Sequence, residues 1–260
     1  MSYKTILYSE SQGVATLTLN RPDKRNSISY ELIDDVTAAL KQAAESSALV
    51  LILTGAGSAF SAGMDLENLK HLLGRTPEQN LKDSQTMAGL FRSLYDFPKP
   101  TIAAVNGPAI AGGTGLATLC DFTLAVPEAK FGYTEVRIGF VPGIVSSYLV
   151  AIVGEKRARD LLLTGRIFGA EEAYRLGLVT EIVSPDQLIA RTHALAAELM
   201  QNSPNSLRAT KALLSSYTKD QLDRQLEAAI RENAAVRQTP DFKEGITSFL
   251  EKRKPKWTSK

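Results

Sequence analysis

The chain has 260 residues, 44% of them hydrophobic and 22% charged, with a formal net charge of +2. That length buries a full core, as one large domain or as a domain with a helical appendage, and the near-neutral charge disfavours a nucleic-acid-binding protein. No apolar run is long enough to span a membrane, no signal pattern opens the chain, and the single cysteine, Cys120, excludes an intramolecular disulfide and suits a reducing cytoplasm, the compartment expected.

In chain order, residues 3–10 and 14–19 are strand-like runs separated by Ser11-Gln12-Gly13, hence a hairpin. A basic, turn-rich loop, RPDKRN at 21–26, follows. Ser29 reads as a helix cap, with Glu31 in the first turn and Leu32, Ile33, Val36 and Leu40 on one face. The helix leads into LVLILT at 49–54, a short apolar run of the kind found in buried strands. After it comes GAGSAFSAGMDLENL, in which Asp65 is placed to cap a helix beginning at Leu66. The helical stretch 66–97 is broken near Gly74-Arg75-Thr76-Pro77 and resumes with Met87, Leu90, Phe91, Leu94 and Tyr95 on amphipathic spacing. His71 lies on a charged helix and reads as a surface group.

TIAAV at 101–105 is another buried strand, and NGPAIAGGTG then changes the pattern. Asn106-Gly107-Pro108 breaks the strand, while Gly112, Gly113 and Gly115 fall where a helix begins. Glycines before a helix serve close packing, but they also leave backbone amides bare at a helix N-terminus, able to meet developing negative charge. Two strand ends each offer such a glycine-rich amide, the minimum for a two-donor oxyanion hole. Residues 121–126 and 129–133 read as paired short strands around Pro127-Glu128 that deliver Glu135, a carboxylate that either caps the following turn or does chemistry. From Glu155 the chain is mostly helical, with a strand signal at 178–183; Cys120 and His193 read as packing residues, and no metal-ligand spacing occurs. The last ten residues, EKRKPKWTSK, carry five basic groups against one acidic one. Alternation of strands and helices implies a parallel sheet with crossovers.

AFSAGMDL, NGPAIAGG and FGYTEVRIGFVPG together resemble the crotonase, or enoyl-CoA hydratase/isomerase, superfamily, over nearly the whole chain. The resemblance implies an α/β spiral of ββα-type turns in residues 1–200 and a C-terminal helical trimerisation subdomain in 201–260. It also implies an acyl-CoA thioester as substrate, coenzyme A belonging to the substrate so that no separate cofactor is needed, and a homotrimer or dimer of trimers. The amides of Met64 and Gly112 would hold the thioester oxygen, with Glu135 as acid/base. Ala62, Asp65, Leu66 and Gly115 would contact the acyl-CoA, and the helix pair in 66–97 would lie over the substrate cleft. Lys24, Arg25, Phe249 and Lys252 would approach the nucleotide, the last two often from a neighbouring subunit.

One departure matters: typical hydratases of the family carry a second glutamate just after the glycine run, where this chain has Gly115. One carboxylate then either does both proton transfers of a syn hydration or serves a reaction that needs no water. Motif style, similar to bacterial enoyl-CoA and methylglutaconyl-CoA hydratases, favours hydration of a 2-enoyl-CoA. Double-bond isomerisation and decarboxylation are the alternatives. A non-catalytic CoA- or RNA-binding scaffold is the reading of another class, against which the retained Glu135 stands.

Overall fold

The computed structural model describes residues 3–258. The first two apolar runs form the antiparallel pair β1 (Ile6–Ser11) and β2 (Val14–Leu19), joined by a two-residue turn at Gln12-Gly13 in which both φ angles are positive. Helix α1 (Tyr30–Glu45), capped by the Ser29 side chain, crosses to β3 (Val50–Gly55). Helices α2 (Leu66–Leu72) and α3 (Pro77–Tyr95) cross to β4 (Thr101–Val105). Between the two helices a Thr76/Gln79 capping box and Pro77 restart the helix, at the break the sequence marks. A short strand β5 (Ala109–Ile110) and helix α4 (Gly112–Thr118) then lead to β6 (Phe122–Ala125).

After β6 the chain leaves this sheet. Strand β7 (Lys130–Gly132) runs into a single 3-10 turn at Glu135–Ile138. Helices α5 (Gly143–Val153) and α6 (Glu155–Thr164), strand β8 (Phe168–Gly169) and helix α7 (Ala170–Arg175) follow, and β9 (Glu181–Ile182) rejoins the first sheet. Helices α8 (Leu188–Met200), α9 (Pro204–Ala235) and α10 (Pro240–Leu250) complete the fold. The main sheet has the order β1-β2-β3-β4-β6-β9, parallel from β2 onward, and a second sheet has the order β5-β7-β8. Every residue of β3 and β4 is buried, as expected where helices cover both faces of a parallel sheet.

Two expectations change here. Residues 121–126 and 129–133 are not paired with one another: β6 pairs with β4 and β9, whereas β7 pairs with β5 and β8. The turn closed by the Ala129 amide on the Val126 carbonyl (3.0 Å) sends the chain out of one sheet and into the other, a choice invisible to local strand propensity. His193 is exposed on α8 rather than packed, because the core-facing positions of that helix are Leu188, Thr192 and Ala196. Cys120 is buried, which pushes its thiol up to about 12, and His71 is exposed. Among the described residues no helix is long and apolar enough to cross a membrane, and no group of three or more His, Cys, Asp or Glu could hold a metal ion.

Candidate active site

Three loops leave the sheets side by side and in the same direction. Ile28 bridges Met64 in parallel, Ser61 bridges Ala109 in parallel, and Ala109 pairs with Phe131 in parallel. Parallel neighbours exit at the same end, so Met64, Gly112 and Glu135, each three or four residues beyond that register, arrive together. The Gly113 position enforces the approach: a Cβ there would lie 2.4 Å from the Ser61 carbonyl oxygen, closer than any side chain allows. Packing is therefore the role of Gly113, and it brings the neighbouring amide to the site.

The Met64 amide is aimed by its neighbours. Ile28 donates to the Gly63 carbonyl (2.7 Å) and accepts from the Asp65 amide (3.0 Å). Because a trans peptide points its C=O and N–H in opposite directions, the Met64 N–H faces away from Ile28. Gly112 is the first residue of α4, where an N–H has no intrahelical partner. Ala111 before it has φ 51° and ψ −122°, a conformation rare for a residue with a side chain; its amide donates to the Gly132 carbonyl at 2.7 Å. Such strain is stored where it orients a functional group, here the 111–112 peptide. Among the described residues neither the Met64 nor the Gly112 amide donates to another protein group.

Both amides and Glu135 line one cleft of about 740 Å³. The cleft's lining is mostly hydrocarbon, including Phe91, Phe140, Ile144 and Val145. The Glu135 Oε2 atom is buried without a hydrogen-bond partner among the described residues. Burial disfavours the charged form and raises this carboxyl from 4.5 to about 7, with only a backbone amide pulling the other way. A group poised near neutrality can both take and return a proton.

The mouth is polar. Lys24 and Arg25 line it from the loop after β2, both exposed and neither in an ion pair among the described residues. Arg21, from the same loop, instead ties the cleft together: it pairs with Asp65 at 2.8 Å and donates to the Ser27 carbonyl at 2.6 Å. Asp65 is the α2 cap, accepting from the Glu67 amide (2.9 Å) and the Ser27 hydroxyl (2.9 Å). Burial opposes its ionisation, but these donors outweigh it and hold the carboxyl below its ordinary range. Ala62, Leu66 and Phe249 also line the cleft.

Gly115 and Lys252 do not. Gly115 lies one turn into α4 and is covered: a Cβ there would stand 2.7 Å from Phe91 Cε1 and 2.8 Å from Val145 Cγ1. Lys252 takes the left-handed position (φ 55°) after α10, where the Arg253 amide closes on the Ser248 carbonyl (2.9 Å). That turn directs Arg253 and Pro255, not Lys252, to the mouth, with Glu244 holding the Arg253 guanidinium at 2.6 Å. Arg253 was hidden in the basic tail, where no spacing separates it from its neighbours. Asn233 also lines the cleft, from α9, where nothing in the local sequence marks it out. Of the helix expected to cover the cleft, Met87 and Phe91 reach it, while Leu90 and Leu94 belong to the core.

The packing over Gly115 makes a prediction. Gly115→Glu overpacks Phe91 and Val145 and buries an unpaired carboxylate, so its melting midpoint falls by roughly 5–10 °C. The double variant Phe91→Ala/Gly115→Glu has room for the side chain and melts higher than the single one. A single variant as stable as the parent, in a thermal melt followed by circular dichroism, refutes the packing described.

A strained helix start with bare amides, in one cleft with a buried carboxyl raised to about 7, is an arrangement able to stabilise an oxyanion while one proton moves. Comparison with known proteins agrees: the chain belongs to the enoyl-CoA hydratase/isomerase family, whose pattern matches residues 9–260. It is 47% identical over 249 residues to a putative enoyl-CoA hydratase of Thermus thermophilus, covering 95% of this chain and 98% of that one. It is 33% identical over 258 residues to the 1,2-epoxyphenylacetyl-CoA isomerase of Escherichia coli, covering 98% of each. Among solved structures, an enoyl-CoA hydratase/isomerase from Xanthobacter autotrophicus superposes with a TM-score of 0.90 at 32% identity, over 96% of this chain and 94% of that one.

Proposed function

We propose that the protein hydrates a 2-enoyl-CoA thioester reversibly, with Glu135 as its single acid/base. The observation that carries this reading is the buried Glu135 carboxyl, raised to about 7 and lining the same cleft as the two unengaged amides. In the hydration direction ionised Glu135 takes a proton from water as the oxygen bonds to C3. The electron pair moves onto the thioester oxygen, held by the Met64 and Gly112 amides. The proton on Glu135 then passes to C2, restoring the carboxylate and giving the 3-hydroxyacyl thioester. The Thermus relative supports hydration. A second reading, a shift of the double bond between C3 and C2 positions, is favoured by the hydrocarbon over Gly115, since one base that removes and returns a proton suffices for it.

Incubation with 2-enoyl, 3-enoyl and carboxylated enoyl thioesters, followed by mass spectrometry in light and heavy water, separates the readings. Hydration adds one water mass; isomerisation leaves the unlabelled mass unchanged; a carboxylated substrate that loses carbon dioxide points to decarboxylation. No turnover on any member of the panel refutes the enzymatic reading.

For coenzyme A, Lys24 and Arg25 at the mouth of the same chain meet the nucleotide phosphates, beside Phe249. Lys252 does not line that cleft, which leaves it the nucleotide bound in a neighbouring subunit. The exposed stripe Leu213, Leu214 and Tyr217 on α9 supports assembly as a trimer through residues 201–260. Lys24→Ala and Arg25→Ala each weaken coenzyme A thioesters about two- to fivefold, as exposed ion pairs do, and leave truncated pantetheine thioesters unchanged. Equal losses for both ligands in a KM comparison remove the pair from the nucleotide site.

A further inference from the structure

A buried polar cluster lies directly behind the wall of the cleft. Arg237 and Asp83 are 1% and 3% exposed and pair at 2.6 Å. Arg237 also donates to Asn233 Oδ1 (2.8 Å) and Ser84 Oγ (3.1 Å), and the Ser84 hydroxyl donates to the same Asn233 oxygen at 2.8 Å. The other Asp83 oxygen accepts from Arg75 at 2.9 Å and from the Tyr30 hydroxyl. A buried ion pair of this kind is weak grounds for stability, so its placement calls for another reason.

Its effect is to fix one amide. With two donors on Oδ1, the Asn233 Nδ2 is left pointing at the Val141 carbonyl, to which it donates at 3.1 Å. The residue before Val141, Phe140, donates its amide to the Glu135 carbonyl (3.0 Å), and its ring lies beneath the Arg237 guanidinium at 5.1 Å. On the other side α10 presses on the same turn: a Cβ at Gly245 would lie 2.2 Å from the Ile138 carbonyl oxygen. Helix α10 thus presses on the turn at Glu135–Ile138 itself, and α9 holds the chain three residues beyond it, at Val141.

We infer that Asn233 is a positioning residue for Glu135: its Nδ2–H, locked by Arg237 and Ser84, tethers Val141 and so sets the direction from which the carboxyl enters the cleft. This rests on the reading of Glu135 as the acid/base. Misplacement of a reacting group by about 1 Å lowers turnover on the order of 100-fold, and loss of one tether produces part of that.

The test uses the full chain and the best thioester of the panel, below the melting temperature of each variant. Asn233→Asp keeps the acceptor for Ser84 and Arg237 but loses the donor; Asn233→Ala loses both. Each lowers kcat about 10- to 100-fold with KM within about twofold of the parent. Asn233→Asp, which gains charge pairing with Arg237, stays folded and decides the matter if the alanine variant does not. A purely structural role lowers the melting midpoint and leaves kcat unchanged, and parental kcat in either folded variant overturns the inference. Glu135→Gln in parallel separates the two readings: if it stays active, the acid/base assignment and this inference fall together; if it is inactive while Asn233→Asp has parental kcat, the inference alone falls.

Discussion

Glu135→Gln lowers turnover roughly 100- to 10,000-fold while thioester affinity changes by less than about threefold. Glutamine keeps the size and the hydrogen-bonding face of the side chain but cannot accept a proton, so the loss falls on chemistry and not on the pocket. With the ionised form as the proposed base, kcat/KM of the parent rises with pH through about 7 and then levels. The same burial sets a stability effect of definite sign. The folded state holds the Glu135 proton up to about 7, whereas the unfolded chain releases it near 4.5. Between those values the folded state binds more protons, so stability falls as pH rises across the window and is level above it, by up to about 3 kcal/mol. Glutamine escapes that loss. The variant therefore melts higher than the parent at pH 8 and by a smaller margin at pH 5, an inactive protein stabilised by the change that disables it. Parental turnover in Glu135→Gln reduces the residue to a turn cap.

The parts of this site readable in the sequence are those built from local grammar. Asp65 and Ser29 are caps because a short acceptor side chain precedes an amphipathic run, and both accept the expected amide. Gly112 is legible because a glycine run between a buried strand and a small-residue helix leaves an amide bare. What the sequence does not reveal depends on pairing between distant segments. The strands 121–126 and 129–133 look like neighbours by propensity, yet β7 belongs beside β5, and that pairing is what carries Glu135 to Gly112. Gly115 looks like an open position at the substrate; only the packing of Phe91 from α3 and Val145 from α5 closes it. Asn233 lies 98 residues after Glu135 in the chain, 233 − 135. No periodicity of α9 marks it, because its role comes from Arg237 and Val141 and not from its own helix.

Removing the Gly112 donor is the second large effect. Gly112→Pro abolishes one of the two N–H groups proposed to hold the thioester oxygen and lowers kcat by on the order of 100-fold or more, the scale set by loss of a single oxyanion donor. The substitution suits the position in one respect, since proline is well tolerated in the first turn of a helix. It is disfavoured in another, because the residue before proline is restricted and Ala111 already holds φ 51° and ψ −122°. An amide-to-ester exchange at the 111–112 linkage, made by semisynthesis, deletes the same proton with no added bulk and separates electrostatics from strain. If the hydrogen bond is the cause, the ester enzyme loses a comparable factor in kcat, while binding of a coenzyme A thioether, which has no carbonyl to polarise, matches the parent. The thioether lacks the carbonyl oxygen altogether, so its binding reports the rest of the pocket and not the donor at Gly112. An ester enzyme with parental kcat shows that Gly112 serves close packing, as Gly113 does, and that the oxyanion is held elsewhere.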